Sequence, residues 1–144
     1  MSSFELGDPL AHRALQALVR AEAMVRRRLA AELERAGVSA AGFSALVVLT
    51  TAGGELELRT LRRRLLWSKA NATEVTETLE GRGLVTRHRV PEDRRAVAVT
   101  LTGEGRALVE RVFPQHAERV SEAFDALDDG EKRSLAEICR KLAA

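Results

Sequence analysis

Two groups of side chains in this 144-residue sequence have types and spacing that could do chemistry. The first is the run Ser68-Lys69-Ala70-Asn71-Ala72-Thr73-Glu74, with hydroxyl, ammonium, amide and carboxylate groups close together at the start of a helix-forming segment. Ser68, Lys69, Asn71 and Thr73 can donate to phosphates or base edges, and the Glu74 carboxylate can accept from a cytosine amino group. The second is Arg87, Arg89, Arg94 and Arg95, grouped around Pro91-Glu92-Asp93. Guanidinium is a planar, permanently charged fork that suits an anionic groove better than bond-making chemistry. Both groups point to DNA.

Catalysis would need a nucleophile with its base, paired carboxylates, a phosphate loop or a cofactor motif, and none occurs here at convincing spacing. The expectation is therefore no enzyme, no catalytic residue and no cofactor. His12, His88 and His116 lack the local spacing of a chelate, so no metal site is assigned, although one assembled in space stays open. Cys139, beside Ile138 in an amphipathic stretch, reads as a small hydrophobe, and a single cysteine allows no disulfide framework.

The elements that must position these groups follow from periodicity and capping. Leu84 to Thr102, LVTRHRVPEDRRAVAVTLT, alternates on both sides of its Pro-Glu-Asp-Arg-Arg tip, which predicts a β hairpin. Val85, Arg87 and Arg89 share one face of its first strand, and Val97, Val99 and Leu101 share one face of its second. Pro91 and Asp93 supply turn chemistry, and Arg94 and Arg95 stand at the exposed end. Asp93 is expected to orient an Arg or the turn, because a carboxylate beside phosphates is repelled.

Upstream, Asp8-Pro9 starts and Gly37 stops a long helix with Ala11, Leu15, Leu18, Val25, Leu29 and Leu33 on one stripe, interrupted by Glu22. Ser39 caps a helix carrying Phe43, Leu46, Val47 and Leu49 that stops at Gly53-Gly54. A short helix over about Leu58 to Leu65 turns Leu61 and Leu65 inward and Arg62, Arg63 and Arg64 largely outward. Ser68 caps the next, with Ala72, Val75, Thr76 and Leu79 at helical spacing; its hydroxyl is either only that cap or also a DNA contact. Trp67 reads as core or turn packing. Thr102 opens a long helix, bent or locally broken near Pro114. Asp128 and Glu131 then form a capping box for a last helix with Leu135, Ile138 and Leu142 inside.

Two short helices joined by a turn, the second capped and followed by a hairpin, describe a winged helix-turn-helix. The predicted fold class is mainly α with a small β hairpin, as one domain over residues 1–144. Its DNA-binding lobe would span about 38–101, with long flanking helices over about 8–36 and 103–143.

Ser68-Lys69-Ala70-Asn71-Ala72-Thr73, Leu79-Glu80-Gly81-Arg82-Gly83-Leu84-Val85, Asp93-Arg94-Arg95 and Val99-Thr100-Leu101-Thr102 resemble the MarR family of bacterial regulators, whose Asp-x-Arg wing and Leu-Thr exit they match. The resemblance covers nearly the whole chain. It implies a homodimeric regulator, expected to be a repressor, joined through the flanking helices and bound to double-stranded DNA at a palindromic operator. The Ser68 helix would lie in the major groove, and Arg94 and Arg95 would enter the minor groove. A small anionic aromatic effector would bind between the dimer helices and the DNA-binding lobe.

Three residues depart from the family pattern. Arg62 stands where a small Ala is usual and Leu66 where a turn Gly is common. A left-handed Leu66 would cost roughly 1 kcal/mol or more, so a differently shaped turn is expected. Glu74, beside Glu77 and Glu80, makes the recognition face acidic. These departures motivate an alternative, a winged-helix module that binds a protein instead of DNA.

The formal net charge of +2 is small, but arginines cluster at 26–28, 62–64 and 87–95, which makes local patches that attract phosphate. The longest apolar run, Ala45 to Leu49, is too short to span a membrane, and MSSFELGDPL lacks a basic segment followed by an apolar core. A cytoplasmic protein with no membrane association is expected.

Overall fold

The protein was described from a computed structural model that covers residue 5 and residues 7–144. Part of the N-terminal stretch read for an export signal, residues 1–4 and 6, lies outside the described residues. In chain order the elements are α1 (Pro9–Ala36), α2 (Ala40–Thr51), β1 (Glu55–Glu57), α3 (Leu58–Leu65), α4 (Lys69–Gly81), β2 (Val85–Val90), β3 (Asp93–Leu101), α5 (Gly103–Ala123) and α6 (Asp129–Ala143). This is the mainly α winged helix expected from the sequence, with one addition. The sheet has three strands in the order β1-β3-β2, because Glu55, Leu56 and Glu57 pair antiparallel with Thr100, Val99 and Ala98. Three residues are too few to show an alternating pattern, so β1 left no signal in the sequence.

The capping residues act where the sequence placed them. Ser39 Oγ accepts from Gly42 N at 3.0 Å, Ser68 Oγ from Asn71 N at 3.1 Å, and the Asp128–Glu131 capping box is complete. Thr102 Oγ1 accepts from Gly105 N at 3.0 Å and donates to the Gly83 carbonyl at 2.7 Å, which ties the start of α5 to the end of α4. At Gly105 a Cβ would collide with the Leu84 carbonyl, so only glycine permits this approach. Pro114 does not break α5, which is one helix from Gly103 to Ala123. Losing one N–H donor inside a 21-residue helix leaves the remaining ladder to carry it.

Contacts group the described residues into two compact units, Glu32–Ala117 and a second formed from those up to Ala31 with Glu118–Ala144. The core of the first holds Leu33, Phe43, Leu46, Leu49, Leu61, Leu79, Val85, Val99 and Leu108, with Trp67 packed against it. The second unit is different. Leu135, Ile138 and Leu142, expected inside, are 39%, 63% and 69% exposed, and Leu15 and Val19 on α1 are each 56% exposed. An amphipathic stripe specifies a face to be covered, not what covers it, and one copy of the chain leaves this face open. Cys139 is half-buried beside Phe124 and Leu135, consistent with its reading as a small hydrophobe.

Among the described residues no single helix is long and apolar enough to cross a membrane, and no cluster of three His, Cys, Asp or Glu side chains could hold a metal ion.

Candidate nucleic-acid interface

The site grows from the turn between α3 and α4. Leu66 closes α3 in the left-handed region, at φ 56° and ψ 37°, so the expected reshaping of the turn does not occur. Two groups hold it there. Trp67 N–H donates to the Arg62 carbonyl at 3.0 Å, and the Trp67 side chain packs on the core. Leu66 itself is 75% exposed and has little burial of its own to offset the strain.

Burial of Ala72, Thr76 and Leu79 at helical spacing fixes the rotation of α4. Thr76 satisfies its buried hydroxyl by donating to the Ala72 carbonyl at 2.7 Å. Glu74 is therefore on the opposite, outward side, with Asn71 and Thr73 flanking it, and Lys69, Asn71, Thr73 and Glu74 are all exposed. Ser68 is exposed and its oxygen caps the helix, which leaves the hydroxyl proton for an external acceptor.

The acidic face expected from Glu74, Glu77 and Glu80 is reduced to its first member. Glu80 turns to β2, where its carboxylate accepts from Arg87 N at 2.9 Å and Arg87 Nε at 3.3 Å. Glu77 lies 3.6 Å from the same guanidinium. The sequence placed Arg87 on a face with Val85 and Arg89 but could not say what that face meets. Val85 enters the core, Arg87 meets the end of α4, and Arg89 Nη1 donates to the Arg94 carbonyl at 2.6 Å.

The hairpin is in the register that alternation requires, with Val85, Arg87 and Arg89 opposite Leu101, Val99 and Val97. A bulge between Arg89 and Val90 precedes the tip. Arg94 and Arg95 lie in the first residues of β3 and both are exposed. Asp93 Oδ1 accepts from Arg95 N at 3.0 Å, which is the turn-orienting geometry expected of it. Arg62, read as outward, is half-buried instead, and with Lys69 and Arg95 it lines a hollow between α3, α4 and the wing. Its signal, an Arg one helical turn from Leu58 and Leu65, was lost among three consecutive arginines.

Within the same compact unit, His116 packs edge-on against Phe43 with ring centroids 4.9 Å apart. Burial lowers its pKa below the usual 6.5, opposed by the charge of Glu32.

A helix-turn-helix with an outward polar face and an arginine-bearing wing is a shape other proteins use. The family model for MarR matches residues 38–97. The HTH-type transcriptional regulator YkoM of Bacillus subtilis (strain 168) is 32% identical over 105 residues, 73% of this chain and 68% of that one. Sco3205, a MarR family transcriptional regulator from Streptomyces coelicolor solved in complex with DNA, superposes with a TM-score of 0.86 at 25% identity, covering 99% of this chain and 91% of that chain. BpsR of Bordetella bronchiseptica, whose DNA binding is regulated by 6-hydroxynicotinic acid, gives 0.79 at 28% identity, covering 92% and 99%. With the lobe matched by the family model and the chain matched along most of its length by regulators, this protein belongs to the MarR family of DNA-binding transcriptional regulators.

Proposed function

We propose that the protein works as a homodimeric, ligand-responsive repressor. Its operator is a palindrome, because twofold protein symmetry presents two α4 helices and two wings to related half-sites. The observation that carries this reading is the exposure, on one lobe, of an outward α4 face and an arginine-bearing wing braced by Glu80–Arg87 and Arg89–Arg94. In it, residues 38–101 are the DNA-binding lobe, and the segments 8–36 and 103–143 join the two copies. The open apolar faces of α1 and α6 support that joining.

Asn71, Thr73 and Glu74 face base edges, Ser68 and Lys69 face phosphates, and Arg94 and Arg95 enter the minor groove with Asp93 holding their turn. Repression follows from occupancy, since a dimer covering its operator excludes other proteins without needing a contact with them. The effector class is a small anionic aromatic acid, the class of the compound that regulates BpsR. It acts by favouring a dimer whose α4 spacing no longer fits the grooves. Such a regulator works where the chromosome is, which in bacteria is the cytoplasm. We assign it no catalytic role.

The protein-binding alternative is motivated by an acidic recognition helix and by the Arg62 and Leu66 departures. Glu77 and Glu80 are engaged by Arg87, Leu66 keeps the turn, and Arg62 stands as a cation beside Lys69 and Arg95, so the DNA-binding reading is the better supported. Selection of bound duplexes from a random pool at two salt concentrations tests the reading. Enrichment of a palindrome and a dimer by light scattering are expected; no enriched sequence, or a monomer at micromolar concentration, would refute it.

A further inference from the structure

A hollow of about 270 Å³ separates α4 from the wing. Ala72 and Ala96, both buried, form part of its lining, so small side chains on two elements keep it open. Cations reach it from three elements, Arg62 on α3, Lys69 on α4 and Arg95 on β3. The carboxylates that also line it are engaged locally. Glu57 accepts from Arg59 Nε at 2.7 Å, and Asp93 accepts from the Arg95 backbone at 3.0 Å. Among the described residues, Arg62, Lys69 and Arg95 form no ion pair. Three cations thus line a space whose two carboxylates, Glu57 and Asp93, form no ion pair with them.

The geometry of duplex DNA says what must pass there. A helix in the major groove and a wing in the adjacent minor groove stand on either side of one sugar–phosphate strand, because that strand is the wall between the grooves. We propose that the hollow seats a backbone phosphate of that strand, with Arg62 as its principal donor and Lys69 closing around it, while Arg95, directed to the minor groove, adds positive charge on the wing side. The proposal rests on the DNA-binding reading above and adds to it a residue outside α4 and the wing. Half-burial restrains the Arg62 side chain before binding, so less freedom is lost when the phosphate arrives. The contact is blind to sequence, and it supplies positive charge near a recognition helix that carries Glu74.

The test uses the full-length protein, the duplex selected from the random pool and a scrambled duplex, with binding read by fluorescence anisotropy across a salt series. Arg62→Ala should weaken both duplexes alike and reduce the slope of log affinity against log salt by about 0.9, so that over a fourfold rise in salt it loses about 3.5-fold less affinity than wild type. Arg62→Lys should retain the slope, and circular dichroism should show both variants folded. A scan that replaces single phosphates with neutral methylphosphonate should then find one position per half-site whose penalty in wild type vanishes in Arg62→Ala. A slope unchanged by Arg62→Ala, or a changed slope with no such position, would overturn the seat. So would inorganic phosphate, exchanged for chloride at constant ionic strength, inhibiting wild type more than Arg62→Ala with no methylphosphonate position responding, since the hollow would then hold a free anion. Failure of the wild type to bind any duplex would instead remove the DNA-binding reading itself.

Discussion

Glu80 is the residue on which the fit between recognition helix and wing is expected to depend, and its substitution separates two contributions. Its carboxylate accepts the Arg87 backbone N–H at 2.9 Å and meets the Arg87 guanidinium at 3.3 Å. A hydrogen bond to a charged acceptor contributes about 1.5–3 kcal/mol. The ion pair contributes at most about 1 kcal/mol, because its side chains are 23% and 40% exposed and water screens them. Glu80→Ala removes both and should cost about 2 kcal/mol, whereas Glu80→Gln keeps an oxygen acceptor and should cost under about 1 kcal/mol. For a chain of this size each kcal/mol moves the melting temperature by about 2–4 °C, so the two variants should separate clearly in thermal melts at matched protein concentration. Operator affinity should fall further than stability explains in Glu80→Ala, because the wing is no longer fixed against α4. Equal losses for the Gln and Ala variants would show that charge, not the backbone acceptor, is what matters. An Ala variant that melts like wild type would refute the reasoning altogether.

Leu66→Gly should be more stable than Leu66→Ala by about 0.5–1 kcal/mol and melt correspondingly higher, since glycine relieves a left-handed strain of about 1–2 kcal/mol and returns part of it as unfolded-state entropy; equal melting points would mean the turn is not strained. Arg94→Ala and Arg95→Ala should weaken binding to all duplexes and make the salt dependence shallower, and a changed sequence preference at unchanged slope would make the wing a base reader. Glu74→Ala should tighten binding to scrambled DNA while narrowing the gap to the operator, as expected if its carboxylate repels phosphate and accepts from cytosine; equal changes on both duplexes, or none, would exclude base reading. His116, whose pKa is lowered in the fold by burial, binds fewer protons folded than unfolded, so its contribution is full above about pH 6.5 and is lost as pH falls below that. Chemical denaturation across pH 5 to 8 should show this slope flattened in His116→Gln, and an identical profile would refute it.

Sequence alone determined what is local. Ser39, Ser68, Thr102 and Asp128 cap helices through bonds to residues at most three positions away, and the period of two in Leu84 to Thr102 fixed the hairpin and its register. Those signals, with the Asp93-Arg94-Arg95 tip, sufficed to indicate a winged helix and its outward polar face. Tertiary structure decided whatever depends on a distant partner. Glu77 and Glu80 count as surface acid until β2 brings Arg87 against them, and β1 exists only because β3 offers it an edge. The left-handed Leu66 is set by Trp67 and the core, against the local preference of its own backbone. Arg62 is one of three consecutive arginines, and only the convergence of α3, α4 and β3 distinguishes it. The open faces of α1 and α6 mark the same boundary from the other side, since an amphipathic pattern records that a face is to be buried while its partner is set by assembly.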